Sequence, residues 1–315
     1  MNVQNILAKR IDTADDMSSY DKACKQILAN KIILAWIMKH SMNEYSSYRV
    51  EEIADNFIEG EPEISKDTLH RDEKSEFVYG LNSEDTSIKE NTVTFDIRFK
   101  AVVPFEHTTE DMIINVEAQS NFYPGYPIIK RGIYYASRMI SSQYGTVFEN
   151  SHYEELKKVN SIWICTKPPK YRQNTIVSYD ITEKNIYGAY KDNKKNYDLI
   201  SVILICLGND GQQSEVKLIK MLSILLSRDI IPKVKKEILQ NEFGIPMTKN
   251  LESGVADVCN LSQGIVDETT IEHLKNMMET TGWDVDKCMD ILKVPTQPEY
   301  LREYYKEEIF DTDIA

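Results

Sequence analysis

NTVTFDIRFKAVV, residues 91–103, followed after a short polar connection by MIINVEAQ, residues 112–119, is the stretch on which the fold turns. In the first run Val93, Phe95, Ile97 and Phe99 alternate with Thr94, Asp96, Arg98 and Lys100. Period two is the mark of a strand with one face buried. The second run also reads as a strand. The short connection, Pro104 to Asp111, predicts that the two pair as an antiparallel hairpin. Side chains two apart share a face of a strand, so Glu117 and Gln119 point the same way, and Asp96 can lie opposite them.

Working outward, Tyr123-Pro-Gly-Tyr-Pro127 predicts a turn. Residues Ile128 to Tyr144 then read as a helix with Gly145 as its C-cap. Further strands are expected at Val159–Cys165, Thr175–Tyr179 and Leu199–Leu207, with Pro168-Pro169 breaking the chain after the first. Upstream, 21–58 reads as helix opened by Asp21 as N-cap, with a second short helix near Arg49–Ile58. Residues 59–91 read as loop, with a short strand near Phe77–Tyr79. Beyond Ser214 the pattern is helical to about Val294. The expected division is a mixed α/β domain over 1–210 and a helical region over 211–315, parted at the Asn-Asp-Gly turn, 209–211.

The chain as a whole sets limits. Its 315 residues are 42% hydrophobic and 28% charged, enough to build a core. The formal charge of -13 excludes a protein that coats nucleic acid through bulk positive charge, though it permits a local basic groove. Five cysteines are widely spaced and form no CxxC, so buried reduced thiols are expected rather than zinc sites or a disulfide scaffold. No signal peptide is visible, and the longest apolar runs, at 32–38 and 199–208, fall short of the ~18 residues a membrane span needs. A cytoplasmic protein without membrane contact is expected.

Asp96 and Glu117 on adjacent strands, with the backbone carbonyl of Ala118, would form an oxygen-rich pocket suited to Mg²⁺ or Mn²⁺. A cation held there polarises a phosphate and activates water. Gln119 can orient a water or hold a phosphate oxygen, but its neutral amide cannot transfer protons. On the helix that follows, Arg131, Tyr135 and Arg138 stand at i, i+4 and i+7 and share one face, flanked by Tyr134. Guanidiniums with an aromatic between them suit a phosphate backbone and an unstacked base. Read by spacing alone, the same residues also fit polar side chains on a solvated sheet and helix. His107 and His152 are isolated and have no nucleophile nearby. Gly-Asn-Asp-Gly-Gln-Gln-Ser, 208–214, lacks the spacing and lysine of a phosphate loop. Trp36 and Trp163 read as core.

INVEAQSNFYPGYPIIKRGIYYASRMIS (114–141) resembles the Rpn family of recombination-promoting nucleases, the PD-(D/E)XK nuclease family transposases. TFDIRF (94–99), KKVNSIWIC (157–165) and YDKACKQILANKIILAWIMK (20–39) look like the same family, and VADVCNLSQGI (255–265) more weakly. The resemblance implies an α/β fold with a PD-(D/E)XK, restriction-endonuclease-like core: a mixed central sheet flanked by helices, with a helical C-terminal region added. It implies a Mg²⁺-dependent DNA endonuclease associated with mobile or recombining DNA. Asp96 matches the aspartate of the PD motif, Glu117 the acid of (D/E)XK, and Gln119 the lysine position. Two departures stand out: Phe95 replaces proline, and Gln119 replaces lysine, the E-x-Q form the family itself often carries. Glu44, at the end of the first helix, is a candidate further metal ligand, because many enzymes of this superfamily place an acid there. Lys25 lies in the family-like N-terminal run. A homodimer is a reasonable expectation for a double-strand cutter.

Two other readings compete. The first is a catalytically silent nuclease-fold module that binds DNA or protein, which the acidity and Gln119 favour. The second, a DDE-type strand-transfer enzyme, needs three carboxylates on a ribonuclease-H-like fold, which the adjacent-strand D…ExQ does not resemble.

Overall fold

The computed structural model describes residues 20–64, 84–85, 93–104, 109–209, 211–228, 230–292 and 306. Asp21–Leu226 form one compact unit, and the chain from Ser227 onward belongs to another.

The first unit opens with helix α1, residues 20–28, whose buried Ala23, Cys24, Ile27 and Leu28 recur at helical spacing. The sequence predicts one continuous helix here. The structure breaks it at Asn30, whose extended backbone and side chain accepting from the Ile32 amide (3.0 Å) restart it as α2, Lys31–Ser41. A capping Asn satisfies amides that a helix start leaves unpaired. Asp21 is not a cap, because Tyr20 is already helical. A short helix α3, Val50–Glu52, runs into a π-helical turn, Ile53–Phe57. Strand β1, Ile58–Ile64, follows directly, where the composition predicts loop. Its polar sequence conceals it, since it lies at a sheet edge. The short pair β2, Glu84–Asp85, and β3, Val93–Thr94, forms its own two-stranded sheet. The strand expected at Phe77–Tyr79 lies outside the described residues.

The hairpin expected from the alternating runs is present as β4, Ile97–Pro104, and β5, Thr109–Gln119. Helix α4, Ile128–Ser141, leaves the turn at Gly125, whose φ of +96° suits glycine. Strands β6, Lys158–Cys165, β7, Thr175–Asp180, and β8, Ile200–Cys206, complete the sheet. Its order is β1-β4-β5-β6-β8-β7. Strands β5, β6 and β8 run parallel, and the other neighbours pair antiparallel. Strands β6 and β8 are buried along almost their whole length, as parallel strands covered on both faces should be.

α4 packs on one face of this sheet over Phe95, Ile113, Val159, Trp163, Val202 and Leu204. Gly132 makes that approach close. A Cβ there would stand 2.6 Å from Val202 Cγ1 and 3.1 Å from the Trp163 indole nitrogen. Helix α5, Lys217–Leu225, buries Leu218, Ile219, Met221 and Leu222 and belongs to the sheet unit. The parting expected near residue 210 falls instead between Leu226 and Ser227, which leaves α5 with the sheet.

The second unit contains α6, Pro232–Asn241, α7, Lys249–Thr281, and α8, Val285–Leu292. Thr248 caps α7 by accepting from the Leu251 amide, and Gly282 ends it at φ 67°. Lys235 is fully buried and donates to the Ser227 carbonyl at 2.7 Å. Among the described residues, no helix is long and apolar enough to cross a membrane.

Candidate active site

The hairpin register sets the centre of the site. Ile97 pairs with Val116, which brings Asp96 abreast of Glu117. Asp96 stands in the bend between β3 and β4 and exchanges hydrogen bonds with the neighbouring strand on both its backbone and side chain. Its amide donates to Glu117 Oε1 at 3.1 Å, and the Ala118 amide donates to its Oδ2 at 3.1 Å. Asn115, two residues before Glu117 on the same face, donates to Glu117 Oε1 at 2.9 Å. Hydrogen bonds from the described residues thus fall on one oxygen of Glu117 only.

The surroundings work against ionisation. Glu117 is only 3% exposed. Burial first, and then the charge of Asp96, push its carboxyl well above the usual range, although the Asp96 amide, Arg131 and Asn115 oppose the shift. Burial also raises the Asp96 carboxyl. Lys25 and the Ala118 amide pull it back only in part. For both carboxyls, burial outweighs the two flanking cations.

Those cations come from two different helices. Lys25 on α1 reaches Asp96 Oδ1 at 3.1 Å and is held from behind by Asp21 at 3.0 Å, one helical turn earlier. Burial disfavours the Lys25 charge, but Asp96 and Asp21 outweigh it and raise its pKa. The DKACK run contains this lysine, yet no spacing rule connects it to Asp96. Only tertiary packing does. Arg131 on α4 lies half-buried with its guanidinium over the rings of Tyr135 (4.9 Å) and Trp163 (5.2 Å). It donates to the Tyr135 hydroxyl at 2.7 Å and makes longer contacts, 3.5 Å each, with Gln119 Oε1 and the Tyr126 hydroxyl. Gln119 also donates to the Asn121 carbonyl at 2.6 Å.

Arg131, Tyr135 and Arg138 do share a face, and it is the inner one. Tyr135 is packed between Phe95 and Trp163, and Arg138 is 5% exposed near the end of α4. Tyr134 is exposed on the outer side. Arg131 is the member of the set that approaches both the carboxylates and solvent.

Other candidates lie elsewhere. Glu44 pairs with Lys158 at 2.8 Å, and Lys158 also holds Asp198 at 2.8 Å. Lys158 opens β6 opposite Met112, at the far end of β5 from Glu117. At ~3.3 Å per residue, that separates Glu44 from the pair by roughly 16 Å. His152 is exposed and pairs with Glu154, while His107 lies outside the described residues. All five cysteines are free and buried. Trp36 and Trp163 are core residues.

Among the described residues, no group of three or more His, Cys, Asp or Glu side chains is placed to hold an ion. The pair itself still fits a hard divalent cation, which is commonly held by one or two carboxylates with water and substrate oxygens in the other positions. Burial holds both carboxyls above their ordinary range despite Lys25 and Arg131, and the buried Asn115 Oδ1 beside Glu117 has no hydrogen-bond partner. No family model, curated protein or solved structure matches the chain.

Proposed function

We propose that the chain is a divalent-metal-dependent DNA endonuclease, hydrolysing phosphodiester bonds where β4 begins and β5 ends. The observation carrying this reading is the buried Asp96–Glu117 pair, brought abreast by the hairpin register and flanked by Lys25 and Arg131. The mixed sheet with helices on it accords with a PD-(D/E)XK core. The sequence likeness to recombination-promoting nucleases points the same way.

In this reading Asp96, Glu117 and the Ala118 carbonyl would hold Mg²⁺ or Mn²⁺. Such an ion, when bound, supplies Lewis-acid polarisation of the scissile phosphate and a more acidic water. The protein's own groups do the rest. Lys25 fixes the Asp96 carboxylate and offsets part of its charge. Arg131, braced by Tyr135 and Trp163, presents a guanidinium fork to a non-bridging phosphate oxygen. Gln119 positions Arg131 and can hold a water, but cannot move its proton. Tyr135 and Arg138 support the helix from its inner face. The buried free thiols accord with a reducing cytoplasm.

The test is plasmid nicking at millimolar Mg²⁺ and, separately, Mn²⁺. Wild type should convert supercoiled DNA to open and linear forms, and Asp96→Ala and Glu117→Ala should each lose at least a hundredfold in rate. A folded wild type that cuts in neither metal sinks the hydrolytic reading. The alternative then leads: a silent nuclease-fold module. Its supporting observation is that Lys25 already sits against Asp96.

A further inference from the structure

The parallel strands β5 and β6 end side by side, Gln119 opposite Cys165. The loops leaving them therefore open on the same edge of the sheet, next to Arg131. From the first loop comes Tyr123, 55% exposed, and from the second Tyr171, 72% exposed. Their hydroxyls are in hydrogen-bond contact, which sets the two rings together. Phe122, buried beneath, meets the Tyr123 ring edge-on at 5.0 Å. Tyr126, also exposed, has its hydroxyl 3.5 Å from the Arg131 guanidinium. The tyrosines thus lead from open solvent to the carboxylate pair.

Charge follows the same path. In a chain of net charge -13, residues 118–148 and 156–179 contain no Asp or Glu. Lys167 and Lys170 are exposed on the second loop. Exposed, mutually braced aromatic rings with cations, on segments without Asp or Glu, suit one kind of ligand: unpaired bases that stack, joined by phosphates that pair with cations. A duplex hides its base faces and has no use for exposed rings.

We infer that Tyr123, Tyr126 and Tyr171, with Arg131, Lys167 and Lys170, form a stacking platform that binds single-stranded nucleic acid and feeds it to the Asp96–Glu117 pair. That the strand is the substrate rests on the nuclease reading; that it binds does not.

The experiment is fluorescence anisotropy with the full chain in EDTA, so that no metal-dependent cutting occurs. Probes are labelled strands of about 20 nucleotides, long enough to cover a typical binding groove. They are DNA, RNA, the blunt DNA duplex of the same sequence, and an abasic DNA strand. The platform predicts that a single strand binds at least tenfold more tightly than the duplex. Tyr123→Ala with Tyr171→Ala should weaken single-strand binding about tenfold or more, with thermal unfolding unchanged because both rings are exposed. Tyr123→Phe with Tyr171→Phe, which keeps both rings, should retain most of the binding. The DNA and RNA arms show which strand is preferred.

Equal or tighter binding of the duplex or of the abasic strand overturns the inference, as does a double variant that binds like wild type. The two readings fail separately. Tyrosine-dependent strand binding without plasmid nicking removes hydrolysis and leaves the platform. Nicking without tyrosine-dependent strand binding does the reverse.

Discussion

Replacing Glu117 by Gln should stabilise the metal-free fold, by an amount that grows with pH. Glu117 is buried, and its carboxyl is raised first by burial and then by Asp96. Gln keeps the acceptor oxygen that receives the Asp96 and Asn115 hydrogen bonds and discards the charge. The sign follows from linkage. Below the ordinary glutamic acid range, both folded and unfolded wild type hold the proton, and the variant gains nothing. As pH rises past the ordinary glutamic acid value of 4.5, the unfolded chain releases its proton while the folded chain retains it. Stability is then lost until pH passes the raised folded value. Each pH unit inside that window costs about 1.4 kcal/mol. For a unit the size of Asp21–Leu226 this is about 3–6 °C in Tm per pH unit. Loss of the favourable Glu117–Arg131 attraction subtracts from the gain. Differential scanning fluorimetry of wild type and Glu117→Gln in EDTA, from pH 4.5 to 8.5, reads the difference directly. Equal Tm values at both ends, or a variant less stable at pH 8 than wild type, would refute the reasoning. Millimolar Mg²⁺ should raise the Tm of wild type and leave that of the variant unmoved.

Two further outcomes test the supports of the site. Lys25→Met removes the counter-charge from a largely buried Asp96 and should cost about 1–3 kcal/mol at pH 7.5. The loss should shrink as acid protonates Asp96, and urea unfolding at pH 7.5 and pH 4 checks both values. Gly132→Ala drives a methyl into Val202 and Trp163 and should cost about 1–3 kcal/mol by lifting α4 from the sheet. Thermal unfolding measures the loss, and a variant as stable as wild type would show that α4 is not held that tightly.

The hairpin was legible in the chain because strand alternation is local. Period two predicts one strand through residues 91–103; the structure bends it at Asp96, so that Val93–Thr94 pair with β2, while the Ile97–Val116 register of β4 and β5 still brings Asp96 abreast of Glu117. Helix α4, its turn and the three later strands are likewise local, written in periodicity and in Gly and Pro. Helix spacing also shows that Arg131, Tyr135 and Arg138 share a face. It cannot show which way the face points. That depends on the sheet beneath, and Gly132 lets the sheet take the inner side, burying Tyr135 and Arg138. Polar β1 is a strand because an open edge of β4 offers it backbone partners, which no composition rule sees. Lys25 meets Asp96 across more than seventy residues of chain, and Tyr123 meets Tyr171 across two loops. By itself, the sequence determined which residues alternate, turn and cap. Which charges and rings stand together was decided by the pairing of distant strands and the docking of helices on them, because those energies arise only once the chain has closed on itself.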